Sequence, residues 1–346
     1  MHRLSLLQLS LAVGVVLGLG AGVAAYVLRD EPPLPPCDLP TEAQLVDTVE
    51  ASARWMARAL QPNDRYWYEY DRVADEFAAN YFDVRHAGVM LSLYQVAAEG
   101  DLSVLPAADG GLQYVLDNLT TVGDITAFDD YRPNTDLGSS ALVVAGLAHR
   151  RAATADDRYD DLMRAMGRYM QSLLRDDGGM WFGAFAPDLE PMVGRTSTFY
   201  TGEAFWAFGL LANQFPGEGW DESALAVAHY LATERDDEEE IENPPHPDQW
   251  SAYGFAEMRE WRELEGEELG YIRALIGQYH GRMEREIRRE ANRVGDGTEA
   301  PDETVTFSRG AAFGTTVEAL SALWKLSTVD PGIADLEPQL RTDLLC

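Results

Sequence analysis

Five times along the chain a glycine opens a run of small and apolar residues: Gly88-Val-Met-Leu, Gly138-Ser-Ser-Ala, Gly202-Glu-Ala-Phe, Gly254-Phe-Ala-Glu and Gly314-Thr-Thr-Val. These glycines stand 50, 64, 52 and 60 residues apart, and each gap has room for one further, polar-faced helix and its loops. Apolar residues recur at helical spacing almost throughout, and few stretches alternate as strands do. The pattern predicts helices over 45–60, 84–98, 139–152, 159–174, 202–214, 223–233, 249–261, 268–292 and 314–326. A tetratricopeptide-like solenoid would repeat more strictly, at about 34 residues. The longer, looser spacing fits an all-α body, an (α/α) toroid of five to six helical hairpins. Its inner helices are the small-residue-rich ones, and little chain remains after Leu326 for a sixth pair.

Three segments carry a resemblance: Tyr200-Thr-Gly-Glu-Ala-Phe-Trp-Ala-Phe, Asn80-Tyr-Phe-Asp-Val-Arg-His-Ala-Gly and Asp177-Gly-Gly-Met-Trp-Phe. They resemble segments of six-hairpin glycosidase-like toroids, over most of residues 41–346. That resemblance implies a carbohydrate-active enzyme, glycoside hydrolase-like, with a uronate-acting lyase or epimerase as a close variant. Lanthionine cyclases share a related toroid but need a Cys/Cys/His zinc site, and this body has no interior cysteine. Terpene cyclases use an aspartate-rich box that Phe128-Asp129-Asp130-Tyr131 matches poorly.

Residues Leu4 to Leu28 contain no charge. A helix of that length spans roughly 37 Å, enough to cross a hydrocarbon core of about 30 Å. Residues 1–28 therefore read as a signal anchor or transmembrane helix. A cleavable signal peptide ending near Val23-Ala24-Ala25 is the competing reading. Residues 29–40 form a Pro-rich acidic linker, and 41–346 the toroid domain. Either reading of the leader puts the body outside the cytoplasm, membrane-anchored in the first case and secreted in the second.

With 58 acidic residues against 27 basic ones, the net charge is −31. Nucleic acid needs a basic face, so it is excluded as a partner; the expected partners are a glycan and, through the N-terminal helix, a membrane. The acidity and the single lysine, Lys325, fit a salt-adapted composition. Cys37 and Cys346 are the two cysteines; a mutual disulfide and two free thiols both remain open. No phosphate-cradling loop, nucleophile elbow or HExxH motif occurs, so no cofactor or metal is expected.

In a ring of hairpins the loops leading into the inner helices converge on one mouth. Candidate catalytic residues there are Glu203, Asp136 and His86. Glu203 is the best of them, because a carboxylate inside a very apolar helix is paired or held at a raised pKa. Asp136 reads equally as a helix N-cap, and His86 as a hydrogen-bonded structural histidine. Substrate-binding candidates are Trp67, Tyr70, Asp71, Arg85, Tyr200, Asp248, Trp250, Tyr253, Arg309 and Glu318. The aromatics would stack on sugar faces, and Arg85 or Arg309 would bind a uronate. Hydrolysis needs two facing carboxylates, to be sought among Asp71, Asp136, Glu203, Asp248 and Glu318. The acidic run 236–242 reads as a solvated loop. A membrane-tethered, non-catalytic binding or scaffold protein is the rival reading.

Overall fold

The computed structural model describes residues 34, 37–71, 73–78, 80–128, 134–293 and 310–346. The expected N-terminal membrane helix lies outside them, as does Arg309. Among the described residues no helix is long and apolar enough to cross a membrane.

The chain runs through α1 (Glu42–Arg58), a hairpin of β1 (Tyr70–Asp71) and β2 (Glu76–Phe77), α2 (Asp83–Ala98) and α3 (Leu105–Asp117). A second hairpin, β3 (Leu119–Val122) and β4 (Ile125–Phe128), precedes β5 (Asn134–Asp136), α4 (Leu137–Thr154) and α5 (Asp160–Ser172). Then come β6 (Gly183–Phe185), β7 (Glu190–Pro191), α6 (Tyr200–Gln214), α7 (Trp220–Thr233) and the short α8 (Arg235–Glu238). The chain finishes with α9 (Gln249–Met258), α10 (Gly266–Arg293), α11 (Gly310–Val329) and α12 (Glu337–Leu345).

Two layers emerge from the packing. Helices α2, α4, α6, α9 and α11 lean on one another in that order, while α1, α3, α5, α7, α10 and α12 cover them from outside. The described residues thus form five hairpins and the first helix of a sixth. Composition explains the division. Every residue of α4 from Leu137 to Ala148 is buried, as befits a helix apolar around its circumference. Outer α5 instead buries one stripe, Met163, Met166, Gly167, Tyr169 and Met170, and leaves its charges to solvent. Helix α1 starts with a capping box between Thr41 and Gln44, which satisfies orphan backbone donors. It packs through Ala53, Met56 and Ala57, with Leu60 just past its end, and Leu45, Val46 and Val49 remain exposed.

Short strands interrupt the helical plan, since the loops that lead into the inner helices fold as small hairpins. Strand β6 pairs antiparallel with both β5 and β7, with Asp136 opposite Gly183. This sheet delivers the chain into α4. The centre of the ring is filled: Trp206 of α6 stacks on Trp250 and Tyr253 of α9, with centroids 5.8 and 4.6 Å apart. The two ends of the described chain meet in a disulfide, Cys37–Cys346, with Cα atoms 5.6 Å apart.

Candidate active site

Carboxylates gather where successive inner helices begin. Asp136 is the N-cap of α4, Glu203 lies in the first turn of α6, and Asp248 is the N-cap of α9. The two aspartates have a local reason to be there: each satisfies orphan amide donors of its helix. Asp136 Oδ1 accepts from the amide of Ser139 at 2.7 Å and from its hydroxyl at 2.5 Å. Asp248 Oδ1 accepts from the Trp250 amide at 3.0 Å.

Glycines let these groups approach the neighbouring helix. A Cβ on Gly138 would lie 2.1 Å from Oε2 of Glu203, and one on Gly202 would lie 2.3 Å from Oδ2 of Asp248. So Glu203 of α6 rests on the first turn of α4, two residues from Asp136. Asp248 of α9 rests in the same way on the first turn of α6, beside Glu203.

Glu203 is 3% exposed, and its Oε2 has no hydrogen-bond partner among the described residues. Burial first, and then the charges of Asp136 and Asp248, hold its carboxyl well above the usual carboxylate range. Asp248 is fully buried but paired. The Arg235 guanidinium donates to its Oδ2 at 2.9 Å and to the Tyr271 hydroxyl at 2.6 Å. Burial pushes the Asp248 carboxyl up while Arg235 pulls it back.

The remaining candidates divide between the ring centre and its first hairpin. Tyr200 lies over Gly138 with its ring 5.0 Å from Phe182. Trp250 and Tyr253 belong to the central stack, and burial first, then the charge of Glu318 of α11, push the Tyr253 phenol up. Burial pushes the Glu318 carboxyl up to about 7. Tyr253, Trp250 and Glu318 therefore form one group under the mouth.

Trp67, Tyr70, Asp71 and Arg85 form a second group, around the β1–β2 hairpin. Tyr70 hydrogen-bonds Asp75. Asp71 accepts from the amides of Val73 and Ala74 as a turn-former. Arg85 lies 4.8 Å over the Tyr68 ring. His86 is sealed between α2 and α3: Nδ1 meets the Tyr81 hydroxyl at 2.7 Å and Nε2 the Gly111 carbonyl at 2.8 Å. Donation from Nε2 to that carbonyl leaves Nδ1 to accept from Tyr81. Burial pushes the imidazole down to about 4, so it is neutral and both nitrogens are engaged.

Arg235 is the residue that sequence reasoning missed. It heads the acidic run assigned to solvent, yet it is fully buried. Part of that run is anchored as well: Asp236 accepts from the His246 amide at 3.1 Å, and Glu238 meets Arg175 at 2.5 Å. Such a run folds inward because the few cations nearby need partners. The available signal was one arginine among carboxylates, one turn past a helix end. Among the described residues no three His, Cys, Asp or Glu side chains converge to hold a metal ion.

No protein-family model matches the chain, and neither does any curated protein. Solved structures do. One is a family 76 glycoside hydrolase from a bovine Bacteroides thetaiotaomicron strain, with a TM-score of 0.48 and 16% identity. The match covers 70% of this chain and 55% of that one, so this chain spans little more than half its length. Another is the GH76A α-1,6-mannanase of a Salegentibacter species, with a TM-score of 0.46 and 14% identity over 68% of this chain and 87% of that one. The cellobiose 2-epimerase of Spirochaeta thermophila matches with a TM-score of 0.49 and 14% identity over 88% and 86%. The chain is similar in fold to parts of these solved structures, and at these identities and TM-scores nothing further follows from the likeness.

Proposed function

We propose that the chain is a glycan-acting enzyme of the glycoside hydrolase type, with Glu203 as the proton donor and Asp136 as its partner carboxylate. The observation that carries this reading is the placement of Glu203: a buried carboxyl beside two further carboxylates, which with burial hold its pKa up, and with an oxygen that has no hydrogen-bond partner among the described residues. A general acid needs such a raised pKa. In the reaction, Glu203 gives its proton to the glycosidic oxygen as the C–O bond breaks. Asp136 either takes a proton from the attacking water or bonds the anomeric carbon, depending on the distance between the two carboxyl groups in the substrate complex. The Cys37–Cys346 bond supports a body held in an oxidising, extracytoplasmic compartment, and the uncharged stretch 4–28 would tether it there.

One observation favours a second reading, a non-catalytic binding protein. Glu203 is almost wholly enclosed, and aromatics stack between α6 and α9, so substrate reaches the carboxyl only if this enclosure opens. The experiment that separates them is a turnover screen on neutral and uronate-containing glycans in high salt, with Glu203→Gln alongside. Turnover that disappears in a folded Glu203→Gln protein establishes the enzyme. A parent chain that turns over nothing leaves the binding reading standing.

A further inference from the structure

We propose that the cleft between α1 and the β1–β2 hairpin is a binding site for an acidic sugar, with Arg85 taking the carboxylate and Trp55 and Trp67 the pyranose face. The cleft has two adjoining hollows. The outer, about 280 Å³, lies between Arg58, Trp67, Tyr70 and Phe77. The inner, about 150 Å³, lies between Tyr68, Tyr81, Arg85 and Val89. Trp55 and Trp67 line both, and they are 67% and 54% exposed. Large aromatic rings left open on two sides of a concave surface are costly to hydrate unless a ligand covers them.

Charge selects the ligand. In a chain with about two acids for every base, many arginines elsewhere find carboxylates, among them Arg150, Arg164, Arg175, Arg235, Arg259 and Arg273. Arg58 and Arg85 have no carboxylate partner among the described residues, and both face this cleft. Glu69 lines the outer hollow, where it would accept from sugar hydroxyls and repel an anion. The inner hollow contains Arg85 and the neutral His86 and no acidic side chain. An anionic group therefore settles in the inner hollow. Arg85 is already oriented by its stacking on Tyr68, and guanidinium takes a carboxylate through two parallel hydrogen bonds.

This inference rests on the glycan reading but does not require turnover, so the two fail separately. The test is calorimetric titration of the full chain at low salt, held in detergent for trigalacturonate and neutral α-1,6-mannotriose, and in detergent-free phosphatidylcholine nanodiscs for phosphatidylglycerol vesicles. The expected result is trigalacturonate binding that weakens about tenfold or more in Arg85→Ala, as loss of a charge-assisted hydrogen bond requires. It should also weaken in Trp67→Ala and with added NaCl, and persist in Glu203→Gln. Arg85 is exposed, so its truncation leaves the fold intact. Equal binding of the neutral trisaccharide, or no saccharide binding at all, overturns the proposal. So does vesicle binding alone that is lost in Trp67→Ala, which would make the cleft a membrane contact.

Discussion

Glu203 and Gly138 are complementary across the contact between α6 and α4: the carboxyl oxygen Oε2 fills the space that a side chain at 138 would need. The same relation joins Asp248 to Gly202 one helix further on. Two of the recurring glycines at the starts of inner helices, Gly138 and Gly202, are therefore seats for acids of the next helix, while at Gly254 the same space is taken by the Phe205 ring.

Gly138→Ala places a methyl group into the Glu203 carboxyl and the Tyr200 ring. The expected cost is about 1–3 kcal/mol, typical of forced overpacking, measured by urea unfolding. In the double variant with Glu203→Ala the cost should fall below the sum of the single ones. Strict additivity would show that the two residues do not meet.

Glu318 gives a pH signature. Its carboxyl titrates at about 7 in the folded chain, against 4.5 when unperturbed. Between those values the folded state binds more protons than the unfolded one, so this group makes stability fall as pH rises through that window. The loss is on the order of 3 kcal/mol. Glu318→Gln should lose less stability than the parent between pH 4.5 and 8. Parallel curves for the two proteins would remove the assignment.

Arg235→Met leaves Asp248 as an uncompensated buried charge. The expected loss is about 3–5 kcal/mol, and Asp248→Asn added to it should recover a part. A harmless Arg235→Met would mean that Asp248 finds another partner.

Reduction of Cys37–Cys346 opens a loop of sequence separation 309. Chain-entropy arguments put the contribution of so long a closure at about 5–6 kcal/mol. The melting temperature should drop on adding reductant, and Cys346→Ser should show the lower value without it. Indifference to reductant would show the bond to be absent in solution.

The ring was legible because its signals are periodic and repeated. The glycine-led runs mark the inner helices, and the expected helix over 84–98 is Asp83–Ala98 in the structure. Helix α3 is expected only as an unlocated helix between Gly88 and Gly138, because Pro106 and the pair Gly110-Gly111 weaken its helical signal. Those glycines are instead demanded by packing: a Cβ at 111 would lie 2.3 Å from the Tyr66 hydroxyl. Helix α12 escaped for want of an apolar stripe, since it buries only Leu340 and Asp343. At the site, periodicity puts Asp136, Glu203 and Asp248 at helix starts, but which helix neighbours which is a long-range fact. The Arg235–Asp248 pair is buried on both sides and depends on a loop whose composition resembles solvent-facing chain. The cysteine pairing was open in the sequence for the same reason: nothing local brings Cys37 to Cys346.

That bond also decides how the molecule bears load. Any pull arriving along the chain ahead of Cys37 reaches the ring at the point where its last helix ends, and is shared at once with Cys346. Helix α1, held only by its second half, would otherwise be the first to unzip, one turn at a time. With the bond in place the pull is divided between α1 and α12, so neither end of the described fold bears it alone.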